Sequence, residues 1–389
     1  MGFKNYSESE IKKEAVSIGK KIYSFKELGS EEYRSSSLLV NSLKRHGFKV
    51  KYPYKTMETA FMAEYGNGHP SIGFLAEYDA LPNGHSCGHN LISTWAFASA
   101  VLLKSKIKNG KVIVFGTPSE EGIGKYGGGK ARLAEKGAFK EADIMFGMHP
   151  DDKWNVGDTD LADITLSFVF TGEATNIAER RKRHLNALRS AVDLYNRIQK
   201  LDDGNKKREV ILGMIIKEGG IASNIIPHKA VLEADIRALK VKKLEELIKY
   251  VKNVARMVSH KHGTRLRIEE NTPVYTEYNP NIFLDSLLEN ALLKRGIKPM
   301  NTDRSNEFPT GSTDEANVSK LVPTGHIDAA ICDHAVETHS GEFNILAGRE
   351  LAYKRTMIAV DSTVEAAFSI FSNQKFLPLA KAEFVKSTR

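Results

Sequence analysis

An adjacent pair of carboxylates, Glu120-Glu121, a thiol two residues from an imidazole, Cys87-Gly88-His89, and two further histidines, His149 and His339, are the donor types of a divalent-metal hydrolytic site. Zn²⁺ and similar ions accept cysteine, histidine and carboxylate ligands, and hydrolytic sites keep one position open for water. The twin glutamates suit a division of labour in which one binds an ion while its neighbour, held just beyond the ligands, takes a proton from the bound water. Cys87 and His89 would face the same way on an extended segment and diverge on a helix. Each histidine alone reads as a structural residue at a strand end. Their joint placement is what points to a site.

That placement rests on four short apolar runs. Ile72-Gly73-Phe74-Leu75-Ala76 leads into Glu77-Tyr78-Asp79, and Val112-Ile113-Val114-Phe115 leads into Gly116-Thr117-Pro118-Ser119-Glu120-Glu121. Ile144-Met145-Phe146-Gly147-Met148 stops at His149-Pro150, and Ala329-Ala330-Ile331 precedes a loop carrying His334 and His339. Runs this short, bounded by turn residues, read as buried strands. Ligands of open α/β sheets collect at the carboxyl ends of strands, so these side chains are expected at one rim.

Around the strands, Ser7 and Glu10 form a capping-box pattern, Ser30 is expected to start a second helix ending near Gly47, and a helix is expected over Leu91 to Leu103. Alternation of strand and helix up to about residue 150 argues for a largely parallel sheet with helices on its faces. From residue 164 the texture changes. Ile164, Leu166, Phe168 and Phe170 alternate with polar or small neighbours, a helix over Leu185 to Ile198 follows, then strands Val210 to Ile216 and Val231 to Ala238. Leu244, Leu247, Ile248, Val251, Ala255 and Val258 recur at helical spacing before a last strand around Leu266 and Ile268. The order β-α-β-β-α-β is that of a ferredoxin-like module. The expected division is 1–163, an insert at 164–273, and 274–389 completing the first domain, with the site drawing on both halves through His339.

A chain of 389 residues exceeds the size at which one core stops growing, in keeping with two domains. No apolar stretch approaches the roughly 20 residues of a membrane helix. The opening Met1 to Ser7 lacks the apolar core of a signal peptide, and Tyr6 stands where a myristoylation signal wants Ser or Thr. A cytoplasmic protein with no membrane partner is expected. Two cysteines cannot build a disulfide framework, and Cys332 reads as a small buried filler. The net charge of +8 is spread over helix faces such as Lys242-Lys243-Leu244-Glu245-Glu246, a solvated pattern. The basic run Arg180-Arg181-Lys182-Arg183-His184 has no aromatic interleaving, so no nucleic-acid partner is expected.

The segments Leu75 to Pro82, His85 to Leu91, Gly116 to Glu121, Met148 to Pro150, Asn224 to Pro227, Gly311 to Asp314 and Thr338 to Phe343 occur in an order, over nearly the whole chain, that resembles the amidohydrolase branch of the aminoacylase/carboxypeptidase metallopeptidases. The Glu77-Tyr-Asp-Ala-Leu-Pro82 form is most similar to the aminobenzoyl-glutamate and basic-dipeptide hydrolases. The resemblance implies a zinc-peptidase-like α/β fold, a mixed, mainly parallel sheet flanked by helices, with an inserted ferredoxin-like α+β domain that pairs subunits into a homodimer or larger homo-oligomer. It implies two divalent ions (Zn, Mn or Co) bridged by Cys87, with Glu121 and His339 on one and His89 and His149 on the other. Glu120 would be the general base and Asp79 would orient a ligand. Asn224 and Arg237 sit where relatives contact a substrate carboxylate, a geometry a bidentate arginine suits. Asn224 also reads as a turn residue and Arg237 as a surface strand residue. The implied reaction is hydrolysis of an amide bond in an N-acyl amino acid or short peptide bearing a free carboxylate.

One position departs from the pattern. Relatives carry a histidine in the second domain that stabilises the tetrahedral oxyanion, and counting back from Asn186-Ala187-Leu188 that position falls on Asn176. An Asn amide can donate a hydrogen bond but supplies no charge. The following Ala178-Glu179-Arg180-Arg181 replaces small residues. Either the substrate differs, or His184 or an arginine has taken over, or the activity is weak. The competing readings are a weakly active or non-catalytic relative that binds a ligand or partner, and a dinucleotide-binding loop at Gly122-Ile-Gly124-Lys-Tyr-Gly127. The second is opposed by two glutamates standing where a pyrophosphate would arrive.

Overall fold

The computed structural model describes residues 6–178, 185–203, 209–302, 305 and 308–387. Glu179 and the run Arg180 to His184 lie outside the described residues. The chain divides into two compact units: Met1–Thr159 with Tyr278–Phe308 and Thr313–Arg389, and Asp160–Glu277 with Pro309–Ser312.

The first unit is built on an eight-stranded mixed sheet. Its strands are β1 (Lys49–Lys51), β2 (Phe61–Asn67), β3 (Ser71–Ala76), β4 (Gly110–Gly116), β5 (Ile144–Asp151) and β6 (Asn155–Val156), with β13 (Met300–Asn301) and β14 (Thr324–Ala330) from the tail. The spatial order is β1-β2-β4-β3-β5-β14-β6-β13, and the central run β4-β3-β5-β14 is parallel. β3 is buried at every position, as a parallel strand covered on both faces must be. The helix His89–Lys106 is buried from His89 through Leu103, including Trp95 and Phe97, because it is apolar on all sides and sits inside the domain. Removing Leu91 and Phe97 from water contributes about 1.5–3 kcal/mol each.

Local signals set most helix starts. Ser7 accepts from the Glu10 N–H while the Glu10 carboxylate takes the Ser7 N–H at 2.8 Å, so the capping box opens the helix Glu8–Phe25. Ser30 does not start the next helix. It lies at φ 72° and its hydroxyl is 3.0 Å from that of Ser119, so its oxygen serves a tertiary contact and the helix runs Tyr33–Arg45. The third expected helix starts at His89 rather than Leu91, and β5 continues through His149 and Pro150 to Asp151 instead of stopping before them.

The second unit holds β7 (Ala162–Thr171), β8 (Thr175–Asn176), β9 (Val210–Glu218), β10 (Ile225–Ile226), β11 (Lys229–Ala238) and β12 (Arg265–Glu270), with helices Ala187–Ile198 and Val241–His262 among them. The four-stranded antiparallel sheet has order β12-β7-β11-β9. Ile164, Leu166, Phe168 and Phe170 of β7 and Ala230, Leu232, Ala234 and Ile236 of β11 share one face, packed with both helices, as the period-two alternation requires. Pro309–Ser312 joins this unit through the Leu161 N–H, which donates to the Gly311 carbonyl at 3.0 Å. The two-residue ladder of β8 and β10 is an addition that the periodicity does not signal.

Candidate metal centre

β3 ends at Ala76 and releases Glu77 and Asp79 into the interior, where they are 4% and 1% exposed. The Ser93 hydroxyl donates to the Glu77 carbonyl and holds this exit in place. Asp79 uses both oxygens: Oδ1 is 2.9 Å from His89 Nδ1 and Oδ2 accepts the Glu121 N–H at 3.2 Å. A carboxylate on Nδ1 fixes the imidazole tautomer and turns Nε2 toward the remaining donors. Burial pushes the Asp79 carboxyl up, but the charge and hydrogen bond of His89 outweigh it and hold Asp79 low.

Cys87 and His89 converge by a route different from an extended segment. Gly88 lies between them at φ 79° as the residue before the helix, and a Cβ there would come 2.5 Å from the Pro150 ring. Only glycine meets both demands. The left-handed turn brings Cys87 Sγ to 3.2 Å from His149 Nε2. His339 is held in a left-handed backbone conformation as well, its N–H donating to the Ser86 carbonyl at 2.8 Å, and its Nε2 stands 3.5 Å from Glu121 Oε1.

The loop after β4 presents Glu120 and Glu121 from a tight turn at Ser119, φ 59°. Glu32, fully buried, secures that turn: one oxygen accepts the Ser119 N–H at 2.8 Å and the other accepts the Thr59 hydroxyl at 2.9 Å. The Thr313 hydroxyl donates to Glu120 Oε1 at 2.8 Å. Burial pushes the Glu120 carboxyl well above its ordinary range; Lys130 pulls against the rise, while Glu77, Asp314 and Glu121 add to it.

The result is two donor triplets sharing one thiol, Cys87-His89-His149 and Cys87-Glu121-His339, and a third group, Glu77-His89-Glu120, each with its ligand atoms within 4.8 Å of one another. His89 Nε2 lies 3.4 Å from Glu77 and 3.8 Å from both Glu120 and Glu121. His89 Nε2 and Glu121 Oε1 are buried and make no hydrogen bond. A thiol, three imidazoles and a carboxylate with such orphaned donors fit a pair of borderline divalent ions, which would satisfy the unbonded atoms. The glycine loop 122–127 offers no phosphate cradle: a Cβ on Gly124 would meet the Gly29 carbonyl at 2.5 Å, so its backbone is closed against the segment before the helix Tyr33–Arg45.

The sequence patterns single out none of Glu32, Thr313 and Lys130. Thr313 and Asp314 stand in a family-like motif that assigns them no role, and Lys130 carries only the signal of a lysine directly after three glycines.

Asn176, Asn224 and Arg237 lie in the second unit. Asn176 pairs with Ile225 across the β8–β10 ladder, and its side-chain oxygen accepts the Ala178 N–H at 2.9 Å. Asn224 is exposed at the adjoining turn, its carbonyl accepting from Ile177 at 3.2 Å. Arg237 binds Asp235 of its own strand through Nε at 2.9 Å and Nη2 at 3.2 Å.

Residues 164–262 match the M20 peptidase dimerisation domain. The chain is 31% identical over 384 residues to the Xaa-Arg dipeptidase of Mus musculus, spanning 94% of this chain and 88% of that protein. It is 28% identical over 309 residues to one of the subunits of p-aminobenzoyl-glutamate hydrolase from Escherichia coli K12, spanning 74% and 63%. Its fold is similar to that of a Bacillus subtilis protein described as a dinuclear metal-binding peptidase from the M20 family, with TM-score 0.65, 16% identity and coverage of 94% and 99%. An aminobenzoyl-glutamate utilization protein from Klebsiella pneumoniae gives TM-score 0.70, 13% identity and coverage of 92% and 97%.

Proposed function

This chain belongs to the M20 family of metal-dependent peptidases and amidohydrolases, and from that premise we propose how its own residues divide the work of amide hydrolysis. The bond cleaved joins an acyl or aminoacyl group to an amino acid with a free carboxylate. The observation that supports the assignment of roles is the pair of donor triplets sharing Cys87, with Glu120 beside them and His89 Nε2 common to its surroundings. Cys87, Glu121 and His339 would hold one ion and Cys87, His89 and His149 the other. When bound, the ions supply Lewis acidity for a water and for the scissile carbonyl. Glu120 receives a proton at the oxygen not engaged by Thr313 and returns it to the leaving nitrogen, while Asp79 holds His89 in one tautomer.

Asn224 and Arg237 are assigned to the substrate carboxylate and Asn176 to the oxyanion, in the roles that the motifs suggest. The dipeptidase relative makes peptides ending in a basic residue the first substrates to try. The native metal is taken as Zn, Mn or Co, the assembly as a homodimer, the setting as the cytoplasm, where two free thiols are stable. Among the described residues no helix is long and apolar enough to cross a membrane.

Amine release from a panel of N-acyl amino acids and dipeptides, read with ninhydrin after loading Zn²⁺, Mn²⁺ or Co²⁺, tests the reading. Glu120→Gln is expected to keep its metal and lose about 10²–10⁴-fold in kcat, whereas His89→Ala loses metal and activity together. A Glu120→Gln protein as fast as the parent removes the role given to Glu120.

A further inference from the structure

Lys130 is a fully buried lysine, 0% exposed, and it stands against Glu77 at the edge of the centre. It sits early in the short helix Gly129–Glu135. Its ammonium lies 3.0 Å from Glu77 Oε1 and donates to Asp314 Oδ1, and its own N–H donates to Asp314 Oδ2 at 2.7 Å. Three chain segments distant in sequence thus meet at one amine. A buried ion pair is by itself weak grounds for a stability argument, since desolvation offsets much of the attraction. What sets this one apart is the second oxygen of Glu77, which faces His89 Nε2 at 3.4 Å.

His89 Nε2 belongs to two donor groups, the thiolate triplet with Cys87 and His149 and the acid-rich group with Glu77 and Glu120. One ring nitrogen cannot serve ions in both. Without a counter-charge the second group would present two carboxylates and an imidazole, a mixed oxygen and nitrogen donor set well suited to a divalent ion. An ammonium already fills that electrostatic role from the Asp314 side.

We propose that Lys130 is a positioning residue that acts as a built-in cation: by pairing with Glu77 and Asp314 it keeps a divalent ion out of the Glu77-His89-Glu120 group and so reserves His89 for the thiolate triplet. The inference rests on the metal-centre reading above and adds to it a reason why the ions bind where Cys87 is.

Full-length Lys130→Met and the double variant Glu77→Gln/Lys130→Met, each loaded with Co²⁺ and freed of excess, provide the test. Metal per subunit comes from elemental analysis, and occupancy of the thiolate triplet from the thiolate-to-cobalt charge-transfer band. Lys130→Met is expected to retain more Co²⁺ than the parent and to show a weakened, shifted charge-transfer band as His89 is drawn toward Glu77. The double variant, which lacks the competing carboxylate, is expected to return both readouts to the parent's values. A Lys130→Met protein with parental cobalt content and band overturns the proposal and leaves Lys130 a structural ion pair. If Lys130→Met does not fold, the double variant decides: a folded double variant with the parental band supports the proposal, and one that is unfolded or has lost the band overturns it. A parent that binds no cobalt and shows no thiolate band overturns the metal-centre reading as well, so the two failures are distinguishable.

Discussion

His89 is the most constrained residue of the centre, its Nδ1 tied to Asp79 and its Nε2 facing three carboxylates. Asp79 contributes through orientation, since it also takes the Glu121 N–H and thereby couples two of the donors. Asp79→Asn is therefore expected to weaken metal binding by about 10–100-fold, measured by competition with a chromophoric chelator; parental affinity in that variant would show that the tautomer is set elsewhere. At Asn176 the side-chain oxygen is engaged with the Ala178 N–H, which leaves the amide N–H as the available donor. Asn176→His is expected to raise turnover on N-acyl amino acids, because a cationic donor stabilises an oxyanion more strongly than a neutral amide. No gain on any substrate of the panel would mean that the change at this position carries no first-order cost.

At the scale of elements, the centre depends on turns that the chain adopts only under tertiary restraint. Ser119 at φ 59° is held by Glu32, a side chain from the start of the helix Tyr33–Arg45. Glu32→Ala strands the Ser119 N–H and the Thr59 hydroxyl and is expected to cost about 1–3 kcal/mol in urea unfolding. Because the turn carries Glu120, kcat should fall more than KM rises; a variant that is destabilised with parental kcat would separate the turn from catalysis. A second tie joins β3, the start of β5 and the helix Phe376–Ser387 at Asp143. Burial would raise this carboxyl, but hydrogen bonds from His69, Lys381 and Ser71 hold it down to about 2. A folded pKa below the unfolded value of about 3.9 stabilises the fold fully above that value, and the contribution is lost as pH falls from about 4 through about 2. Denaturation midpoints at pH 6 and pH 3 should therefore differ less in Asp143→Asn than in the parent, and an equal difference would show that the tie is not what titrates.

The two units carry different parts of the proposed work. All the proposed metal ligands lie in the first unit, and the segment matching a peptidase dimerisation domain lies in the second. β9 is an edge strand of that unit's sheet and leaves Ile215 and Ile216 56% and 41% exposed. Light scattering is expected to give twice the chain mass, and Ile215→Lys to shift the population toward monomer. A parent that is monomeric at micromolar concentration would count against self-association through this unit.

Residue type, order and periodicity are enough to read a largely parallel α/β sheet and the β-α-β-β-α-β insert and to nominate the proposed donors, because an alternating or continuous apolar run dictates its own burial and metal ligands are few in kind. Ser30 misleads as a helix start for the same reason that Ser119 gives no local signal: their left-handed backbone conformations are imposed by contacts far away in the chain. Only the tertiary structure decided that Cys87 meets His89 across a left-handed glycine, that Glu32 secures the Glu120 turn, and that Lys130 meets Asp314 across 184 residues. Such pairings are set by the packing of the whole sheet, and no local pattern encodes which buried charge will face which.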